Sequence, residues 1–134
     1  MFTPDGRLFI TGSQIWEIKQ NDQGYYPVAL TSESGCNYAG ITLYKDHLFA
    51  VLSGDSDGNA WLVRAALDAL VFKKIYPLTG FTIANGMVVD DTGHLYIADE
   101  TLINTQGKIV RLSLTNDAVP EVIESSNMVW LSGS

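Results

Sequence analysis

Ala84-Asn85-Gly86-Met87-Val88-Val89-Asp90-Asp91-Thr92-Gly93-His94-Leu95-Tyr96-Ile97-Ala98-Asp99 reads as a strand, a polar turn and a second strand. A looser copy precedes it as Ala39-Gly40-Ile41-Thr42-Leu43-Tyr44-Lys45-Asp46-His47-Leu48-Phe49-Ala50-Val51. The offset between copies is 94 − 47 = 47 residues for the two histidines, and the same for Leu48 and Leu95, Arg64 and Arg111, and Leu67 and Leu114. Gly40 and Gly86 are 46 apart, so the turn is one residue longer in the later copy. A weaker third copy lies upstream, where Pro4-Asp5-Gly6-Arg7-Leu8-Phe9-Ile10 matches the turn and second strand, and Leu8 precedes Leu48 by 40 residues.

Repeats of about 40 to 50 residues made only of strands are the pattern of β-propeller blades, each a four-stranded antiparallel sheet. The expectation is therefore an all-β chain of about three such blades, over residues 1–34, 35–80 and 81–126, with 127–134 beginning a connection to a next one. In the last copy the strands are predicted at Gly86–Val89, His94–Asp99, Lys108–Leu114 and Val119–Glu124. In the middle copy they fall at Gly40–Leu43, His47–Leu52, Ala60–Ala65 and Phe72–Leu78. The first copy retains Arg7–Thr11, Gln14–Lys19 and Tyr26–Thr31, with its inner strand expected before Met1. His47-Leu48-Phe49-Ala50-Val51-Leu52 is apolar on both faces, as stacking between neighbouring sheets requires. The one helix-tolerant run, Ala65–Leu70, is short and sits where a connection is needed.

Closed propellers use four to eight blades. Three would leave two terminal sheets with bare apolar faces, so the chain is expected to join the remaining blades of a longer parent or to self-associate. The parent is favoured because both ends cut through a repeat. The net charge of −7, from 8 basic and 15 acidic residues without a basic cluster, argues against nucleic acid and anionic membrane surfaces as partners. No apolar run approaches the roughly 18 residues of a membrane span, and no secretion signal opens the chain. The low lysine content leans toward a periplasmic or extracellular protein. Cys36 is the single cysteine, which excludes an internal disulfide; it reads as a small residue packed near a strand start.

Asn85 is the candidate metal ligand. Inner strands of a propeller line a tunnel, a neutral amide oxygen suits calcium, and Gly86 lets the backbone approach closely. Asn-Gly is also ordinary turn chemistry, but here the hairpin turn is already supplied by Asp91-Thr92-Gly93. No catalytic residue is assigned. Gly54-Asp55-Ser56-Asp57-Gly58 satisfies the G-x-S-x-G pattern, yet strands flank it where a nucleophile elbow needs a following helix. As an EF-hand start it fails at Ala60 and Ala66, so it reads as a tight exposed turn. Asp99 reads as a carboxylate bonded to backbone at a blade edge, and Asp90 and Asp91 as turn residues. His47 and His94 read as rim residues, Trp16 and Trp61 as packing residues, and Arg64 and Arg111 as repeat-equivalent members of ion pairs.

At Asn85-Gly86, with Leu95-Tyr96-Ile97-Ala98-Asp99 and Gly107-Lys108-Ile109-Val110-Arg111-Leu112 following, the chain resembles the regucalcin/gluconolactonase (senescence marker protein) family of six-bladed propellers. The resemblance implies a divalent cation, usually calcium, in the central tunnel and hydrolysis of a lactone or small ester. It also implies three protein ligands: an early Glu, the Asn of an Asn-Gly step, and a later Asp. Only the Asn maps, onto Asn85. Glu33-Ser34-Gly35 lacks the proline of the usual Glu-Gly-Pro setting, and the later Asp would lie beyond Ser134. Related strand-turn-strand patterns occur in non-catalytic propellers such as the NHL-repeat proteins, so a binding or scaffold module is the alternative.

Overall fold

The computed structural model describes residues 1–81, 84–99, 106–114 and 121–129, and within these the side chains of Asn85, 106–108 and 121–129 are not described. Every regular element among the described residues is a strand. A three-stranded antiparallel sheet holds β1 (Leu8–Thr11), β2 (Ile15–Asn21) and β3 (Gly24–Ala29). A four-stranded sheet follows in the order β4 (Tyr38–Tyr44), β5 (His47–Leu52), β6 (Trp61–Ala66) and β7 (Lys73–Pro77). The third, also four-stranded, comprises β8 (Ala84–Val89), β9 (His94–Asp99), β10 (Gln106–Ser113) and β11 (Glu121–Val129). Each sheet is an antiparallel meander of strands consecutive in sequence, which is what the short connections allow.

The second strands β5 and β9 lie where the sequence places them. Met128 and Val129, expected to begin a connection, instead continue β11, paired with Gly107 and Gln106; Trp130 and Leu131 lie outside the described residues, as does Val119 of the expected outer strand. A second correction concerns the first repeat. Its inner strand was expected before Met1, but Phe2 bridges Leu8 and the Phe9 amide donates to the Met1 carbonyl at 2.9 Å. Residues within the chain therefore already pair along that side of β1. Ala65–Leu70 forms no helix: after β6 the amides of Ala69 and Leu70 both bond the Ala66 carbonyl, closing a single turn.

A shared turn explains the upstream copy. In Thr3–Arg7, Asp55–Asn59 and Asp90–His94 the first amide donates to the fifth carbonyl, and the glycine amide at the fourth position donates back to the first carbonyl. The first residue's side-chain oxygen also accepts the fifth amide, at 3.0, 2.9 and 2.9 Å. The fourth position has positive φ (87° at Gly93), which glycine adopts without Cβ strain. The Leu43–Leu48 pair encloses residues 44–47 and the Val89–Leu95 pair residues 90–94, so the later turn is the longer by one residue.

The middle sheet is buried from both sides, because side chains alternate along a strand. Phe49, Val51 and Leu62 pack with Leu95, Ile97, Val110 and Leu112 of the third sheet. Ala50, Leu52 and Val63 pack with Ile15, Leu30 and Cys36 on the first-sheet side. Among the described residues the third sheet is better covered on one face than the other: in β9, Leu95, Ile97 and Asp99 are buried while Tyr96 and Ala98 are half-buried. Arg7 adds a polar tie, with Nε and Nη2 on the Glu17 carboxylate at 2.9 and 3.1 Å and Nη1 on the Leu67 carbonyl of the middle repeat at 3.2 Å.

Candidate functional site

The sheets meet through their first strands: β4 packs against β8, and β1 packs against β4. Both β4 and β8 carry a β-bulge near their start. In β4 the extra residue is Gly40, between Ala39 opposite Val51 and Ile41 opposite Ala50. In β8 it is Asn85, between Ala84 opposite Asp99 and Gly86 opposite Ala98. A bulge leaves its extra residue out of the ladder and re-aims it, which is why bulges recur beside binding sites. Gly40 lies at φ 70°, and a Cβ placed on it would stand 3.3 Å from Cβ of Met87. A side chain at Gly40 would therefore crowd Met87 and hold a strained left-handed backbone.

Asn85 thus occupies a special backbone position, next to the contact between two first strands. Its backbone neighbour Ala84 is buried, and Asp99, the register partner of Ala84, is only 2% exposed. Asp99 ends β9, where the sequence places it, and that strand pairs with both β8 and β10. Its place two residues beyond Ile97 turns it to the face that packs on the middle sheet. An amide and a carboxylate are hard oxygen donors of the kind calcium takes six to eight of. Among the described residues no three His, Cys, Asp or Glu side chains converge as a metal cluster.

The other polar positions are architectural. Asp55 is the buried centre of the Gly54–Gly58 segment: Oδ1 accepts the amides of Asp57 and Asn59 at 2.9 Å each, and Oδ2 accepts Trp61 Nε1 at 3.0 Å and Lys74 Nζ at 3.3 Å. The Asn59 amide, with the Lys74 ammonium behind it, holds this carboxyl below the usual carboxylate range. Ser56 is exposed on the turn. Asp90 accepts the amides of His94 and Thr92 and the Thr92 hydroxyl, which brings its pKa down to about 2, the His94 amide contributing most. His94 is half-buried, with Nδ1 2.8 Å from the Thr92 hydroxyl. Glu17 is held low by its hydrogen bond from Arg7. Cys36 is packed two residues before β4, and burial pushes its thiol up. Trp61 packs between the first and middle sheets, but Trp16 lies in register with the exposed Ile10, away from that core.

Asp55 and Glu17 were not singled out in sequence as buried groups. The signal for Asp55 was its identity with the Asp90 turn; for Glu17 nothing local marks the Arg7 partner on the neighbouring strand. An open cleft of about 310 Å³ lies between the first and middle sheets, its lining including Glu33, Tyr38, Leu52, Phe72 and Lys74. No protein family, curated protein or solved structure matches this chain.

Proposed function

We propose that the three sheets are consecutive blades of a β-propeller, part of a metal-dependent hydrolase that acts on a lactone or small ester, with Asn85 as one ligand of a divalent cation, best matched by calcium. What carries the reading is the bulge at Asn85, on the first strand of a sheet that packs through that strand against its neighbour. Stacking of the middle sheet on both faces supports the propeller component. The donor chemistry fits calcium in kind but not in number, since this chain offers the Asn85 amide and, nearby in register, the Asp99 carboxylate. No general base is identified, so no proton-transfer step is assigned to a residue of this chain. Bound in such a tunnel, a divalent cation supplies Lewis acidity toward a substrate carbonyl and a coordinated water.

A non-catalytic scaffold is the second reading. It is favoured by Gly40, where a bulge in the same region of the middle sheet serves close packing on Met87 rather than ligand binding. Calorimetric titration with calcium separates the two. Under the hydrolase reading the intact propeller binds calcium and Asn85→Ala weakens its binding at least tenfold; equal affinity of the two intact proteins, or no heat at millimolar calcium, leaves the scaffold.

A further inference from the structure

We infer that two copies of this chain associate head to tail, the outer face of the third sheet of each seating on the outer face of the first sheet of the other, to close a ring of six sheets. The inference rests on the propeller reading and names the partner that completes it. In chain, each sheet-to-sheet contact joins faces of opposite kind. The middle sheet meets the third with Phe49, Val51 and Leu62, and meets the first with Ala50, Leu52 and Val63. Forty-seven residues after the first set come Tyr96, Ala98 and Ile109, all half-buried, with Val88 beside Tyr96 in register and 61% exposed. Forty residues before Leu48 and Ala50 come Leu8 and Ile10, with Ile10 41% exposed. Register sets Leu8 beside Ile18 and Ile10 beside Trp16, a continuous apolar patch on the first sheet.

Among the described residues these two more exposed faces are thus the two halves of the contact the chain already makes twice. A second copy supplies each half with its complement, and the established interface continues through both junctions. Heterologous contacts either close or propagate; two three-sheet chains close at six sheets, within the range of closed propellers. Both partners carry a charge of −7, so raising salt should tighten the pair.

The test is light scattering of the purified chain, with Ile10→Lys and Val88→Lys each blocking one exposed face without touching the core. Wild type is expected to pass from monomer to dimer as concentration rises and to stop there. Each variant alone should be monomeric with an unchanged far-ultraviolet spectrum. An equimolar mixture of the two should recover a weaker one-to-one pair, since one junction in it is unblocked. A folded wild-type monomer at high micromolar concentration overturns the pairing and leaves the propeller reading standing. Polymers that lengthen with concentration overturn ring closure. If Ile10→Lys dimerises like wild type while Val88→Lys does not, like faces pair, and the propeller reading falls with the inference.

Discussion

Leu62→Ala tests whether the middle sheet is stacked on both faces. Leu62 is fully buried in β6, in the cluster that joins the middle and third sheets. Truncating such a leucine removes its transfer free energy and leaves a cavity that strands on two sheets cannot both collapse into, a loss of about 3 kcal/mol. For a chain of 134 residues this corresponds to a Tm drop of roughly 10–15 °C. The control is Ile109→Ala, 47 residues on, at the equivalent position of a half-buried face. There the loss should be about 1 kcal/mol, because half of the side chain already meets water. Urea unfolding followed by tryptophan fluorescence, at a protein concentration low enough to keep chains apart, gives both values. As concentration rises and the outer face is covered, the Ile109→Ala loss should grow while the Leu62→Ala loss holds steady. Equal losses at every concentration would refute two-sided stacking of the middle sheet alone.

Asp55→Ala should lower Tm measurably and shift the tryptophan emission, since it strips Trp61 Nε1 and two turn amides of their acceptor, whereas Ala at the exposed Asp57 should change neither. Acid unfolding should show the sign set by the depressed carboxylates: Asp90 and Glu17 contribute stability above their unfolded pKa values near 4, and this is lost as pH falls from about 4 toward 2. An Asp90→Asn variant, monitored by circular dichroism, should flatten that part of the profile; an unchanged slope would discount Asp90. Cys36 should react slowly with iodoacetamide in the folded protein and readily in urea, because burial both shields the thiol and raises its pKa; rapid labelling under native conditions would contradict its packed position.

Much of the architecture was legible because its causes are local. His47–Leu52 shows two-sided burial in its own composition, and its bounds and those of His94–Asp99 are those of β5 and β9. These turns are written in residue chemistry, an Asp or Thr side-chain acceptor at the first position and a glycine at the left-handed fourth, so repeat alignment across Asp5-Gly6 and Thr92-Gly93 succeeds. What was missed depends on partners far away in sequence. Asp55 is buried because Lys74 lies 19 residues on, and Trp16 and Trp61 differ because only one of them faces a neighbouring sheet. The bulges at Gly40 and Asn85 are set by register against β5 and β9, which no pattern within β4 or β8 reveals.

By itself the sequence determined an array of antiparallel hairpins with polar turns, because alternation of side chains and turn stereochemistry act within a few residues. Only the tertiary structure decided which faces are covered, that Asn85 is the unpaired residue of a bulge, and that Asp99 is buried beside it. Those depend on the packing of one sheet on another, an energy shared between residues far apart in the chain and therefore invisible to either one alone.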